Sequence, residues 1–269
     1  LYLAGAANLF TLWVLSAEVI SYFDSQALAA GFRSQSWIEA ENSKLLSLTV
    51  LWAIYALGLL AAAMARRSAY VRWAGLALLS IPVLKLVLVD TFAVRLDPLT
   101  FRFLLNFYFV AALLVLAVVL FAAFLYWRQR ETVLPQERYV FPALLVAANA
   151  LAVWALSLEA IRFFDSREAS LHASYESAKH LSLTVLWAVY AMGVIVVGVL
   201  KQASAIRLGG MTLLAVPVAK LFVFDVFLLE SGYRVAAFMT LGVLLLGMGL
   251  VYQRYSDAVR GFLFGKTRS

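Results

Sequence analysis

The sequence predicts an all-α transmembrane fold in which eight membrane-spanning helices form two parallel four-helix repeats. Hydrophobic residues make up 64% of the 269 residues and charged residues only 14%, whereas soluble domains average roughly 45–50% and 25%. A chain of this size cannot hide so much apolar surface inside a globule, which indicates a lipid environment. Two further observations support this fold class: the apolar residues form long runs, and three sequence blocks occur twice.

The apolar runs are long enough to cross a bilayer as helices. A spanning helix needs about 20 apolar residues. An outer-membrane barrel would instead show short strands of alternating polarity, and these runs are continuously apolar. We place the eight predicted spans at residues 1–23, 44–65, 69–93, 99–127, 139–163, 178–200, 206–229 and 233–253.

The repeated blocks divide the chain into two copies of one unit. The blocks cover Ala6–Ser25 and Ala147–Ser166, Glu41–Gly58 and Glu176–Gly193, and Pro82–Asp90 and Pro217–Asp225. Such a period marks a repeated structural unit, and four spans return the chain to its starting side, so both copies should share one orientation. We assign residues 1–130 to the first repeat, 131–138 to a cytoplasmic linker, 139–254 to the second repeat and 255–269 to a basic interfacial tail.

The charges separate by side of the membrane. The formal net charge is +7, and the basic residues concentrate in the connections after every second span. Because positive loops face the cytoplasm, we expect an inner-membrane protein with both termini cytoplasmic and with no nucleic-acid partner. The expected partners are membrane lipids and either other membrane subunits or further helices of a longer chain, since Leu1 already lies in an apolar run. We expect no cofactor, and the absence of cysteine removes any thiolate site.

Six ionisable residues in each repeat are predicted to lie on the outer side of the membrane. A charge at the centre of a spanning helix costs about 2.5–3.5 kcal/mol on insertion scales, and pairing an acid with a base lowers that cost. Equal numbers of each sign favour mutual neutralisation, with an ion, proton or polar-headgroup site as the alternative. The residues are Glu18, Asp24, Lys44, Lys85, Asp90 and Arg102 in the first repeat and Glu159, Asp165, Lys179, Lys220, Asp225 and Arg234 in the second.

Depth along the helices indicates which of these residues should pair. The hydroxyl residues that follow Lys44 and Lys179 are expected to bond to the backbone or to a ligand; they are Ser47, Thr49, Ser182 and Thr184. The expected ion pairs, the deeper ones first, are Glu18 with Lys85, Glu159 with Lys220, Asp90 with Lys44 or Arg102, and Asp225 with Lys179 or Arg234.

Two local features should interrupt the regular helices. Pro82 and Pro217 lie within the third span of each repeat, and because proline removes a backbone hydrogen bond we expect a kink there. Between Asp24 and Ser43, apolar and aromatic residues alternate with polar ones, which predicts an interfacial helix.

A weak metal candidate occurs in the second repeat. Glu168, His172, Glu176 and His180 are spaced four apart, and histidine and glutamate at this spacing on a helix can chelate a metal. The stripe drifts round the helix and has no counterpart in the first repeat, so a solvated loop face is the favoured interpretation. The sequence contains no nucleotide-binding loop or hydrolase motif, and catalysis is not predicted.

Several of these residues carry a resemblance to a known family. They are Leu46–Gly58, Arg66–Asp90 and Arg102 in the first repeat, and Leu181–Gly193, Arg207–Asp225, Arg234 and Tyr252–Arg254 in the second. In these motifs the chain resembles the DUF2339 family of predicted bacterial membrane proteins. The resemblance implies a polytopic helical membrane protein, and because family members look like longer chains, it implies that this chain is part of a longer polypeptide. It implies no reaction.

We therefore expect a non-enzymatic membrane module that scaffolds or stabilises a larger membrane protein or complex. One alternative is a transporter or channel with an ion or small-polar-solute site between the repeats. The other is an enzyme that modifies a lipid or a lipid-linked glycan. Tight ion pairs would favour the scaffold, and an unpaired carboxylate in a hydrated cavity would favour transport.

Overall fold

The computed structural model describes residues 2–32, 34–95, 101–131, 134–168, 174–225 and 231–254. Within these ranges every regular element is a helix, and eight helices are long and apolar enough to cross a membrane. The predicted fold class, an all-α transmembrane protein with eight spans, is confirmed. The chain divides into two compact units, Leu1–Glu159 and Ala160–Ser269, which are described separately. The arrangement as two four-helix repeats stays a prediction.

Local capping sets two helix starts in the first unit. Ser34 accepts a hydrogen bond from the Trp37 N–H at the start of α2, and Asn106 accepts one from the Phe109 N–H at the start of α5. These side chains satisfy amides that the first turn of a helix leaves without partners. The elements are α1 (Tyr2–Ala30), α2 (Gln35–Ala65), α3 (Ala69–Lys85), a first π-helix (Leu86–Asp90), α4 (Thr91–Ala93), α5 (Phe107–Arg128), a 3₁₀-helix (Pro135–Tyr139) and α6 (Val140–Glu168) as far as Glu159.

Helix α2 lies at the centre of the first unit and contacts α1, α3 and α5. Small residues at its interfaces, among them Ala53 and Ala56, are fully buried. On α3, Gly75 lies so close to α2 that a Cβ atom there would be 2.8 Å from Leu60 Cδ2. Because small residues let helix backbones approach closely, these positions hold α3 and its terminal Lys85 against α2.

The third span does not continue as a regular α-helix. Pro82 lies inside α3, and the first π-helix begins four residues later. The Thr91 N–H bonds to the Leu86 carbonyl, five residues back, as a π-helix requires. Thr91 Oγ1 at 3.0 Å and Tyr108 Oη at 3.2 Å also donate to this carbonyl. A π-helix therefore directly follows α3, and the kink expected at the proline stays a prediction.

The second unit has the same local features at equivalent positions. Pro217 lies inside α8, which ends at Lys220, and a second π-helix follows. Gly210 lies against Ile195 as Gly75 lies against Leu60. The elements are α7 (Ser174–Leu200), α8 (Ser204–Lys220), the second π-helix (Leu221–Asp225) and α9 (Ser231–Arg254).

The structure differs from the prediction in one connection and at one boundary. The expected interfacial helix between Asp24 and Ser43 is wrong, because α1 continues to Ala30 and α2 already starts at Gln35. The turn between them contains Gly31 at φ 80°, a conformation that glycine adopts without steric cost. The fourth span begins at Phe107 and not at residue 99. The predicted tail, 255–269, lies outside the described residues.

Candidate functional site

A buried ion pair lies where the third span enters the first π-helix. Lys85 Nζ is 2.6 Å from Asp90 Oδ1, and the Asp90 side chain is fully buried. Lys85 Nζ also donates to Thr49 Oγ1 at 2.6 Å and to the Leu45 carbonyl at 2.9 Å, both on α2. The Thr49 hydroxyl in turn donates to Asp90 Oδ2. We call Lys85, Asp90 and Thr49 the buried charge cluster. Its ammonium group has three acceptors for its three N–H bonds.

The π-helix explains how an acid five residues after a lysine can reach it. In an α-helix of 3.6 residues per turn, residues five apart point about 140° away from each other. A π-helix closes its hydrogen bonds between residues five apart, so it brings such residues onto one side. Lys85 and Asp90 therefore both face Thr49 on α2.

Two of the expected pairs in the first unit are wrong. Lys85 does not pair with Glu18, which is exposed on α1 and has no ion-pair or hydrogen-bond partner within the described ranges. Asp90 does not pair with Lys44 or Arg102, because Lys85 and Thr49 engage both of its oxygens. Arg102 is exposed before the start of α5. Glu18 and Lys85 were paired in the prediction because they lie at similar depth in the membrane. Lys85 instead bonds to Asp90, which the first π-helix brings to the same side of the third span.

Glu159 accepts hydrogen bonds from uncharged donors in the first unit. It is only 2% exposed, and its Oε1 accepts the Leu104 N–H at 2.6 Å. Asn106 Nδ2 lies 2.8 Å from both carboxylate oxygens. Asn106 is the N-cap of α5, so the carboxylate also lies at the positive end of a helix dipole. The expected pair of Glu159 with Lys220 would connect the two units and stays a prediction.

Nearer the helix ends, each unit places one lysine between two carboxylates. The acids are partly exposed, and exposed ion pairs typically contribute roughly 0–1 kcal/mol. These contacts therefore orient side chains more than they stabilise the fold. The Nζ–O distances are 2.7 Å for Lys44–Asp24 and for Lys44–Glu41, 3.0 Å for Lys179–Asp165 and 2.9 Å for Lys179–Glu176.

The second unit reproduces part of the buried charge cluster. Lys220 Nζ lies 2.9 Å from Thr184 Oγ1 and 3.4 Å from the His180 carbonyl. These contacts are equivalent to those of Lys85 with Thr49 and Leu45. Asp225 ends the second π-helix, and its side chain lies outside the described part of the chain. Arg234 is half-buried near the start of α9.

Sequence reasoning missed a hydroxyl network next to the buried charge cluster. Thr91 Oγ1 lies 2.8 Å from Tyr108 Oη and accepts a hydrogen bond from Trp154 Nε1 at 3.2 Å. The network links the residue after the first π-helix with α5 and α6. Thr91 and Tyr108 have no matching residues in the second repeat, so the repeat did not point to them. Their only signal was a hydroxyl group in an apolar run.

A second buried ion pair, also missed, lies near the start of α3. Arg72 Nη2 is 2.7 Å from Glu137 Oε2, and Arg72 Nε is 3.1 Å from both oxygens. The two side chains are 4% and 0% exposed. Neither residue was singled out from the sequence. The repeat could have indicated Arg72, because the second repeat has Arg207 at the equivalent position. Both arginines lie inside helices and are buried.

The histidine stripe does not form a metal centre among the residues described. Glu176 bonds to Lys179, and His180 Nε2 lies 3.8 Å from Glu176 Oε2. The described residues contain no group of three or more potential metal ligands. His172 lies outside them, as does the side chain of Glu168.

The buried charge cluster offers little chemical reactivity. A general base must lie within reach of a substrate, whereas the Asp90 side chain is fully buried and both of its oxygens accept hydrogen bonds within the cluster. A cavity in the same unit is lined by residues at the far end of α2, starting at Met64. At 1.5 Å per residue this is about 22 Å along the helix from Thr49. The cluster thus joins α2 to the third span and lies apart from that cavity.

Comparison with known proteins shows which family the chain belongs to. A family model described as "Predicted membrane protein (DUF2339)" matches residues 91–255, which are 165 of the 269 residues. Neither the curated proteins nor the solved structures contain a match. Together with the eight spanning helices, the family match identifies an integral membrane protein. The chain belongs to the DUF2339 family of predicted membrane proteins.

Proposed function

We propose that the chain is a non-enzymatic structural module of a larger membrane protein or complex, in which polar contacts inside the spans fix how the helices pack. The observation that carries this proposal is that the polar groups of the buried charge cluster bond to one another and to α2. Lys85 has three acceptors, and each oxygen of Asp90 has a donor. A site that binds a transported ion or a substrate would have to be accessible to it, whereas the Asp90 side chain is fully buried.

Energetics support the same proposal. Removing one partner of a buried ion pair leaves an uncompensated charge and costs about 3–5 kcal/mol. A pair that bridges two helices therefore penalises any arrangement that separates them. Lys85 connects α3 to α2 through Thr49 and the Leu45 carbonyl, and Glu159 connects α6 to the start of α5 through Asn106. Both contacts are suited to holding helices in register.

The proposal includes a location and partners. We propose the inner membrane of a bacterium, as the family resemblance implies. Both termini would be cytoplasmic, because basic residues concentrate in the connections after every second span. The proposed partners are lipids and further membrane helices, from other subunits or from the same polypeptide. Exposed aromatic and aliphatic side chains along α1, such as Leu9, Phe10 and Trp13, suit either partner.

Transport of a proton or small cation is the second candidate, and one observation favours it. The lysine and the acid of the buried charge cluster lie at a π-helix inside a span, and the second unit places its lysine and acid in the same way. Ionisable residues within spans often mark ion or proton pathways, and π-helices frequently occur at functional sites. A rearrangement of the first π-helix would be needed to expose Asp90.

Flux across proteoliposomes distinguishes the two candidates. The wild-type chain and Asp90→Asn are reconstituted at equal density, and proton, sodium and potassium fluxes are followed with internal dyes under an imposed gradient. The structural proposal predicts equal, background-level flux for both proteins. A wild-type flux that Asp90→Asn abolishes would overturn the structural proposal in favour of transport. Glu18→Gln, which changes an exposed carboxylate, is the matched control.

A further inference from the structure

The first unit has a basic cavity where two spans end. Its volume is about 640 Å³, and it lies between the C-terminal ends of α2 and α5. Three arginines and one glutamate in the lining leave a formal charge of +2. The lining residues that matter here are Met64, Arg67, Trp127, Arg128, Arg130 and Glu131.

The three arginines of this cavity keep their charge available. Their side chains are exposed, and in the part of the chain that the structure describes none of them forms an ion pair. Arg72, in contrast, is buried in an ion pair with Glu137 and is not accessible to a ligand. Glu131 is also exposed and does not neutralise the arginines by direct contact. The cavity therefore presents guanidinium groups that a small anion could bind.

The surroundings of the cavity match the boundary between headgroups and acyl chains. Trp127, 51% exposed, lies at its edge, and tryptophan is enriched at the headgroup level of membranes. From Trp127 a row of exposed aromatic rings runs back along α5 through Phe124 to Phe121, with centroid distances of 6.0 and 5.8 Å. The row leads from the charged cavity into the apolar part of the span.

We propose that this cavity binds the phosphate of an anionic phospholipid, whose acyl chain lies along the aromatic row of α5. Guanidinium groups bind phosphate oxygens through paired, charge-assisted hydrogen bonds. Basic pockets between spanning helices are suited to anionic headgroups. The net positive lining selects against zwitterionic lipids, and the aromatic row selects a lipid over a free phosphate ion. This inference is independent of the structural role proposed for the buried charge cluster.

The second unit indicates a substitution that should test this site without disturbing the backbone. Arg67 has φ 53°, and the equivalent residue of the second unit is Gln202 with φ 51°. Glutamine is thus accommodated in that turn. The test variant is Arg67→Gln/Arg128→Gln/Arg130→Gln. The matched control, Arg66→Gln/Arg138→Gln/Lys201→Gln, removes three positive charges from exposed residues that do not line the cavity.

Native mass spectrometry of the full chain in detergent measures the binding. Phosphatidylglycerol and phosphatidylcholine with identical acyl chains are titrated in parallel. We expect preferential phosphatidylglycerol binding, weakened at least about tenfold in the test variant and unchanged within about twofold in the control. If the triple variant fails to fold, Arg67→Gln alone should weaken binding about fivefold. Equal binding by wild type and test variant, or equal loss in the control, would overturn the proposal, as would displacement of the lipid by millimolar inorganic phosphate.

Discussion

A carboxylate inside a spanning helix can be stabilised by a cation or by neutral N–H donors, and the first unit uses both solutions. Asp90 has the ammonium group of Lys85, whereas Glu159 has the Leu104 amide and the Asn106 side chain. Glu18, which is equivalent to Glu159 in the repeat, is exposed instead. Residue type and repeat position therefore do not fix the role of a charge, because its neighbours decide whether it is buried.

The Glu159 and Glu18 positions form a matched pair for mutation. Glu159→Gln replaces an acceptor oxygen with an NH₂ group that faces the donors of Leu104 and Asn106. Hydrogen bonds to charged groups contribute about 1.5–3 kcal/mol, and we expect a loss of that size in the free energy of unfolding. Glu18→Gln should change it by less than about 0.5 kcal/mol. Denaturant unfolding in mixed micelles, followed by circular dichroism, measures both. Equal effects would show that the Glu159 contacts do not stabilise the unit.

At the scale of elements, the contact between α2 and α3 depends on the absence of a side chain. Gly75 lies against Leu60, and Gly210 lies against Ile195 at the equivalent positions of the second unit. A larger residue at either glycine would move the two helices apart. In the first unit this would also separate Lys85 on α3 from Thr49 on α2, so the packing of the glycine and the geometry of the buried charge cluster are coupled.

Substitution of glycine by alanine should therefore have opposite effects at two positions. Gly75→Ala places a Cβ 2.8 Å from Leu60 side-chain atoms, and overpacking of this kind costs about 1–3 kcal/mol. Gly58→Ala meets no atom within 4 Å and should stabilise α2 by up to about 1 kcal/mol, because alanine favours the helical state. Thermal midpoints of the two variants in the same detergent test this. A midpoint for Gly75→Ala at or above wild type would refute the close approach.

Element types were predictable from the sequence, whereas the contacts between elements were not. Long apolar runs were sufficient to place eight spans, because lipid leaves helices as the only structure such runs can form. The pairing of Lys85 with Asp90 depends on a local π-helix, and neither hydrophobicity nor the proline at residue 82 determines where one forms. Glu159 was predictable from the repeat, but its partner Asn106 lies 53 residues away in sequence and meets it only in the folded chain.

For the whole molecule, charge sorting predicts a direction across the membrane. The chain has no cysteine, so single cysteines report on sidedness without background. Ser36 and Arg66 are exposed residues near opposite ends of α2. In intact spheroplasts, a membrane-impermeant maleimide should label Ser36→Cys and not Arg66→Cys, and permeabilised cells should label both. The reverse pattern would invert the proposed topology.

We infer that the buried charges of each unit bond to partners within the same unit and thereby stabilise its packing. Lys85 and Lys220 both bond to a threonine one span earlier, so the two units share the contact even though their surroundings differ. If this contact has a structural role, removing it must lower the free energy of unfolding. If the contact instead serves transport, a proton or ion must be able to reach and leave Asp90, and the free energy of unfolding need not depend on the contact.

A double-mutant cycle on Lys85 and Asp90 is the most direct test of that account. The free energy of unfolding in lipid nanodiscs or mixed micelles is measured for the wild-type chain, Lys85→Met, Asp90→Leu and the double variant. We expect each single substitution to cost about 3–5 kcal/mol, because it leaves one buried charge unpaired. The double variant should lose clearly less than the sum of the single losses, since it leaves no buried charge unpaired. Single variants as stable as the wild-type chain, or strictly additive losses, would contradict a structural role for the buried charge cluster.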